Sequence, residues 1–325
     1  MKILVTGANG FIGGHLCRVL ETSGFNVVRA VRNSQEGMVA VGDVNKTTDW
    51  SNALRGVDAV VHLAARAHVM NDDVVDPLAE YRVINVDGTM NLARQAAQAG
   101  VKRFIFISSI KVNGESTQPG LPFTANDSPA PIDAYGISKW EAEQALQSIT
   151  KESRMEIVII RPPLVYGPGV GANFLRLLKL AGSGLPLPLG SIKNLRSLIY
   201  VGNLCDMISK CLTHPAASGE TFLVADDQDI SISMLLRMLA AAQNKKAWLL
   251  PMPESILRLA GRLTGRSAEI ERLCCSLQLD ISHTKQMLEW TPPFTIDEGI
   301  RETVKAYVSD PAEYAPEKGT ASHAR

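Results

Sequence analysis

The chain has 325 residues, 46% of them hydrophobic, and its 33 basic and 33 acidic residues cancel to a formal charge of zero. That length buries a full core and a second, smaller one, and the charge balance excludes a global field that would attract nucleic acid or an anionic membrane. Cys17, Cys205, Cys211, Cys274 and Cys275 are odd in number and lie at no zinc-ligand spacing. They read as small buried hydrophobes in a reducing compartment, and no metal site is expected.

The apolar run Ile3-Leu4-Val5 leads straight into glycines, so it reads as a first strand rather than a signal peptide. No run approaches the ~18 apolar residues of a spanning helix, and the expectation is a soluble, cytoplasmic protein without stable membrane insertion. Strands are predicted at Lys2–Thr6, Asn26–Val31, Ala59–Leu63, Phe104–Ser108 and Ile157–Arg161. Helices are predicted at Phe11–Ser23, Ser51–Arg55, Ala79–Ala99 and Tyr135–Lys151. Alternation of strand and helix, with near-continuous apolar strands, predicts an α/β fold with a parallel sheet covered on both faces.

Beyond Arg161 the texture changes. Pro162, Pro163, Gly167, Pro168, Gly169 and Gly171 mark irregular backbone, and Gly182–Gly190 is a second glycine-proline stretch. The remainder reads as helical, with Thr221–Val224 an isolated strand. The amphipathic stretch around Ile256–Leu263 is read as core-packing in preference to transient membrane contact. The expected division is a dinucleotide-binding domain over 1–161, to which 197–215 returns, a smaller and mostly helical carboxy-terminal domain over 162–196 and 216–308, and a disordered tail over 309–325.

Gly7-Ala8-Asn9-Gly10-Phe11-Ile12-Gly13 follows the first strand and opens the first helix. Glycines there allow a tight turn, close approach of backbone to a pyrophosphate and close helix–strand packing. The free N–H groups of the helix start face the phosphates. The alternative is a glycine-rich turn with no ligand. At the end of the second strand, where an NAD site carries an acid for the ribose hydroxyls, stands Val31 with Arg29, Arg32, Asn33 and Ser34 around it. Arginine pairs with a 2′-phosphate, so NADP(H) is the favoured cofactor and NAD(H) the second. The competing use of Arg29 and Arg32 is as solvated strand-end charges.

Tyr135-Gly-Ile-Ser-Lys139 places a phenol and an ammonium on one helix face. A lysine charge favours the phenolate and brings a proton of ordinary pKa ~10 within catalytic reach. An exposed i,i+4 pair is the plain alternative.

With the glycine loop, this pair and a serine-rich strand end, the chain resembles the extended short-chain dehydrogenase/reductase family, in its branch of nucleotide-sugar epimerases, dehydratases and reductases. Gly42-Asp43-Val44, His62-Leu63-Ala64-Ala65, Asn85-Val86-Asp87-Gly88-Thr89, Ser108 through Gly114 and Arg161 through Gly169 match its motifs in order, over nearly all residues up to about 308. The resemblance implies a Rossmann-type doubly wound sheet. It also implies cofactor contacts from Asp43, Val44, Leu63, Ala64, Ala65, Asn85, Ser108, Pro162 and Leu164. Tyr135 would be the proton donor or acceptor, Ser109 the hydroxyl at the reacting oxygen, and Lys139 the residue that holds the ribose and lowers the tyrosine pKa. A UDP-sugar substrate would meet Ser109, Lys111, Asn173 and Arg196, with Arg272 a further candidate whose preferred use is packing or surface. Homodimerisation through the two helices bordering the site is the family expectation.

Ile110 and Lys111 follow Ser109 where a dehydratase has an Asp-Glu pair. Leu164 and Asn113 stand where many epimerases have Asn and Tyr. The expected activity is therefore an NADPH-dependent reduction, and the whole-chain resemblance implies its substrate, the C4 ketone of a UDP-4-keto-6-deoxy-N-acetylhexosamine in bacterial surface-polysaccharide synthesis. The alternatives are an NAD-dependent UDP-hexose or UDP-N-acetylhexosamine 4-epimerase and, from a different class, a non-catalytic NADP-binding regulator on the same fold.

Overall fold

The structure is a computed structural model and describes residues 1–66, 76–118, 120–310 and 314. In chain order it runs β1 (Lys2–Thr6), α1 (Phe11–Thr22), β2 (Asn26–Val31), β3 (Val39–Ala40), β4 (Ala59–His62), α2 (Pro77–Arg82), a π-helical turn (Val83–Gly88), α3 (Thr89–Gln98), β5 (Arg103–Ile107), α4 (Ala134–Glu152) and β6 (Glu156–Arg161). Then come β7 (Leu164–Tyr166), α5 (Ala172–Ala181), β8 (Pro186–Leu187), β9 (Leu198–Tyr200), α6 (Val201–Thr213), β10 (Thr221–Leu223), α7 (Ile232–Ala242) and β11 (Trp248–Leu249). Helices α8 (Glu254–Leu263), α9 (Ser267–Cys274), α10 (Ser282–Leu288) and α11 (Ile296–Ser309) complete the described chain. Of the expected tail over 309–325, all but Ser309, Asp310 and Tyr314 lies outside the described residues.

Seven strands form one sheet in the order β10-β6-β5-β4-β1-β2-β3, and every pairing in it is parallel. All strands run the same way, and the order in which the chain adds them reverses between β1 and β4, where an open α/β sheet forms its ligand crevice at the carboxyl ends of the strands. Side chains alternate across the pleat. Leu4, Val60, Phe104, Phe106, Ile157 and Ile159 pack on one face with Leu92, Ala96, Ala142 and Leu146 of α3 and α4. Helices α1 and α6 contact β1 and β5 as well, and the central strands β4 and β5 are buried throughout, while β2 and β3 toward the edge are partly exposed.

By its contacts the chain divides into two units. The first comprises Met1–Val165, Arg196–Asp229 and Ser276–Phe294 and holds the whole parallel sheet; the second comprises Tyr166–Leu195, Ile230–Cys275 and the chain from Thr295 onward. Within the second, α7 packs on α5 and α11, α8 on α9, and β8 pairs with β11.

Three elements differ from their sequence expectation. Residues 51–56 are turns rather than a helix; five residues are too few to repay helix nucleation, and buried Trp50, Ala53 and Leu54 anchor them to the core instead. The strand at Thr221–Leu223 is not isolated, because it pairs with β6 as the sheet's edge. The helix expected over Ala79–Ala99 starts at Pro77, with Asp76 accepting from the Ala79 N–H at 3.1 Å, and is interrupted by the π-helical turn. That turn inserts a residue into the helical register. It brings Gly88 so close to Val44 that a Cβ there would stand 2.7 Å from the valine Cγ1.

Candidate active site

The glycine loop is built for close approach. Gly7 has φ +64°, and a Cβ on it would come within 3.1 Å of the Ala64 nitrogen. A Cβ on Gly13 would lie 2.1 Å from the Gly7 oxygen, so only glycine lets α1 start this near the strand. The Gly10 N–H donates to Gly7 O at 2.9 Å, and α1 begins without a side-chain cap. Its first-turn N–H groups, from Phe11, Ile12 and Gly13, therefore lack helical partners beside partly exposed backbone. A bare helix start over a glycine cradle fits a dinucleotide diphosphate, with exposed Asn9 at the loop tip.

A buried hydrogen-bonded rod fixes the loop's floor. Thr6 Oγ1 meets His62 Nδ1 at 2.7 Å and accepts from the Leu63 and Ala64 N–H groups at 3.1 Å each, while His62 Nε2 meets Thr89 Oγ1 at 3.0 Å. Burial, and secondarily the charge of Lys139, hold His62 down to about 3, so the ring stays neutral and structural. Asn85 closes the other side: its Oδ1 accepts from the Arg66 N–H at 2.8 Å, and its Nδ2 donates to Arg66 O and Ser138 Oγ at 3.2 and 3.0 Å. Asn85 thus ties down the chain beyond Ala64 and Ala65.

The arginines after α1 are already engaged. Arg29 donates through Nε and Nη2 to both oxygens of Glu21, at 3.0 and 2.6 Å. Arg32 pairs with Asp43 at 3.0 Å, both side chains more than two-thirds exposed. Asn33 is exposed, and Val44 is half-buried against Gly88. A guanidinium bidentate on a carboxylate is poorly placed to take a 2′-phosphate, and Asp43 offsets the charge of Arg32 where the phosphate's attraction would be needed.

At the carboxyl end of β5, three consecutive residues meet α4 at Tyr135, Lys139 and Glu143, spaced by one helical turn each. Ile107 O accepts from Lys139 Nζ at 2.9 Å, Ser108 Oγ donates to Glu143 at 2.5 Å, and Ser109 hydrogen-bonds the Tyr135 phenol. Asp133 caps the helix by accepting from the Gly136 N–H at 2.7 Å. It also pairs with Lys111, which reaches Glu115 at 3.2 Å as well. Tyr81 meets the Tyr135 ring edge-on, 5.9 Å between centroids. Pro162 O accepts from the Ile110 N–H at 3.0 Å, and Leu164 follows half-buried.

Glu143 continues inward as an ion pair: Arg161 donates to its two oxygens at 3.0 and 2.5 Å, with side-chain exposures of only 4% and 1%. Arg161 also donates to Asn113 Oδ1 at 2.9 Å, and Asn113 in turn to Thr124 O at 3.0 Å. These residues were not expected at the site. Their signal was present: a glutamate four residues after Lys139, and an arginine ending an otherwise apolar strand.

The electrostatics differ from the sequence expectation in one respect. Burial, aided by the negative charge of Asp133 and by Tyr81, pushes the Tyr135 phenol above its ordinary value, and the Ser109 hydrogen bond only partly opposes this. Burial takes Lys139 down to about 7 against the raising effect of Glu143. Its ammonium lies 4.5 Å from the Phe106 ring centroid and 6.0 Å from that of Tyr135. A lysine near half-protonation at neutral pH, turned to a carbonyl, does not bring this phenol down.

The expected substrate residues are distributed over both units. Arg196 bridges Leu277 in the first, beside Ser197, whose hydroxyl donates to Asp229 at 2.5 Å. In the second, Asn173 is exposed at the start of α5, next to Ala172 with φ +48°, and Arg272 lies in the last turn of α9.

Residues 3–225 match the family model described as NAD dependent epimerase/dehydratase family. The chain is 50% identical over 313 residues to a UDP-glucose 4-epimerase of Vibrio cholerae, covering 94% of this chain and 95% of that one. It is 29% identical to an N-acetyl-α-D-glucosaminyl-diphospho-ditrans,octacis-undecaprenol 4-epimerase of Escherichia coli O157:H7, at 94% of each chain. Among solved structures it is similar to a UDP-glucuronic acid 4-epimerase of Bacillus cereus in complex with NAD, with TM-score 0.77, 24% identity and coverage of 95% and 99%.

The expected NADPH-dependent 4-ketoreductase is overturned by this comparison: the relative at 50% identity is named for 4-epimerisation, which has no net reduction. The preference for NADP(H) loses its support too, since Arg29 and Arg32 are paired and the solved neighbour holds NAD. Glycine loop, parallel sheet and the matched motifs agree, and the chain belongs to the NAD-dependent epimerase/dehydratase family.

Proposed function

We propose that this protein is a 4-epimerase of a UDP-linked hexose or N-acetylhexosamine, with NAD retained as its cofactor. The observation that carries the reading is the 50% identity across 94% of the chain to a relative named for that reaction. The ladder between β5 and α4 supplies the groups it needs. Gly7, Gly10 and Gly13 would hold the diphosphate, Ala64 and Ala65 the adjoining ribose, and Lys139 the nicotinamide ribose. Bound there, nicotinamide supplies a reversible hydride acceptor for C4 of the sugar.

The remaining work belongs to this chain's own residues. Tyr135 takes the proton from the C4 hydroxyl and returns it to the C4 oxygen when the ketone is reduced on either face. Ser109, already bonded to the phenol, donates to the same oxygen and steadies its charge as the carbonyl forms and disappears. Sugar in the site adds a hydroxyl partner for Tyr135, and protonated Lys139 then supplies the positive charge that favours phenolate. Arg196 is assigned to the UDP diphosphate. A homodimer through α2, α3 and α4, and a role in supplying sugars for surface polysaccharide, belong to the same reading.

The test is to release and identify the nucleotide that purifies with the protein, then incubate it with UDP-glucose and UDP-N-acetylglucosamine. Expected are bound NAD and an equilibrium mixture of C4 epimers without added cofactor. Stoichiometric consumption of NADPH, or bound nucleotide with no interconversion of either sugar, overturns the proposal.

A further inference from the structure

Helix α8 contradicts the expectation that its apolar side packs into the core. Only Leu257 and Gly261, one turn apart, are buried, with Gly261 set so close to Ile270 of α9 that a Cβ would stand 2.9 Å from it. Ile256, Leu259 and Leu263 are 50%, 56% and 79% exposed. At about 100° per residue these three and Ala260 fall in one stripe roughly 100° wide, beside the buried line rather than on it. Trp248 and Leu250, just before the helix, are 60% and 49% exposed. Five of the fourteen exposed large hydrophobics among the described residues thus fall within sixteen residues of chain, where scattered single residues would need no explanation.

Charge selects what covers the stripe. Between 245 and 272 there are six basic and three acidic residues, in a chain whose formal charge is zero. Arg258 is held by Glu254 and Glu271, and Lys245 by Gly182 O at 2.7 Å. Arg262 and Arg266 are exposed, with Arg262 on the flank of the apolar stripe. An apolar stripe edged by arginine, preceded by an exposed tryptophan, has the chemistry of a helix lying in the headgroup layer of an anionic bilayer. Arginine stems cover apolar surface there while the guanidinium reaches phosphate. A protein partner complementary to this face would need acids around its own apolar patch; a membrane supplies both over an unlimited area. No helix among the described residues is long and apolar enough to span a membrane, so the contact is one of surface adsorption. We propose that α8 and the segment from Trp248 form a docking surface for anionic phospholipid membranes.

The proposal is independent of the sugar chemistry and is tested on the full chain by co-sedimentation with vesicles. Phosphatidylcholine vesicles with and without phosphatidylglycerol are compared. The parent is expected to sediment with the anionic vesicles and to be released several-fold by raised salt. Leu259→Glu/Leu263→Glu, at two outward-facing positions, is expected to lower binding about tenfold or more with melting temperature and epimerisation unchanged. Arg262→Glu gives a second, smaller loss on anionic vesicles only. A parent that stays in solution with both vesicles overturns the proposal, as do leucine variants that sediment like the parent. So does concentration-dependent self-association abolished by Leu263→Glu, which would assign the stripe to a second copy.

Discussion

Two arginine–carboxylate pairs near the sheet's carboxyl edge differ in what surrounds them. Arg29 with Glu21, at 29% and 40% side-chain exposure, sits in solvent; Arg161 with Glu143, at 4% and 1%, is sealed inside. The exposed pair drew a functional reading from sequence because it stands where a 2′-phosphate would bind. The buried pair drew none, yet it anchors the helix that carries Tyr135 and Lys139. An exposed pair contributes a median of about 0–1 kcal/mol, whereas removing one partner of a buried pair strands a charge and costs about 3–5 kcal/mol. The guanidinium is the same in both; the dielectric around it decides what it does.

The largest expected effect separates chemistry from scaffold on the ladder itself. Tyr135→Phe lowers kcat about a hundred- to ten-thousand-fold with cofactor affinity and melting temperature near the parent's, as read by steady-state kinetics and nucleotide binding. A variant that keeps its turnover would take Tyr135 out of the proton-transfer role. Next, Glu143→Ala destabilises by about 3–5 kcal/mol in denaturant titration, while Glu143→Leu/Arg161→Met recovers part of that loss because no charge is left unpaired. A single variant no worse than Arg29→Ala would erase the contrast between the two pairs.

Lys139 sharpens the comparison through pH. Its folded pKa, about 7, lies below its unfolded value of 10.5, so between these limits the unfolded chain binds more protons and stability rises with pH. The penalty is fully present below pH 7 and is relieved as pH rises toward 10.5. Cofactor-free protein is therefore expected to melt higher at pH 9 than at pH 7, and Lys139→Met to lose that increment. Equal slopes in both proteins would show that the ammonium is not buried as described. The smallest effects are at the exposed pairs: Arg29→Ala and Arg32→Ala each shift stability by less than about 1 kcal/mol. Each also leaves 2′,5′-ADP no better a competitor than 5′-AMP, before and after mutation. A selective loss of 2′,5′-ADP affinity would restore a phosphate role to β2.

Period and punctuation made most of the first unit legible. Strands β1, β2 and β6 and helices α1 and α4 lie within a residue or two of their predicted spans, because apolar runs bounded by glycine fix such elements locally. Where register depended on a distant partner, sequence was insufficient. The π-helical turn is accompanied by Gly88 against Val44 and Asn85 against Arg66, contacts across nineteen or more positions. Strand β10 was legible as a strand, but its place beside β6 at the sheet's edge was not. Helix α8 shows the limit of periodicity: its pattern announced an apolar side but not whether anything would cover it.

The sequence by itself determined the sheet, the glycine cradle and the Tyr135–Lys139 face, since each rests on short-range geometry: a pleat of two, a helical turn of four, a φ open to glycine. Tertiary structure alone decided which charges are free to act. It paired Arg29 and Arg32, buried Arg161 on Glu143, turned Lys139 to Ile107 and left Ile256, Leu259 and Leu263 in solvent. Charge and apolar surface acquire their energies from what stands opposite them, and that is set by chain segments far apart in sequence.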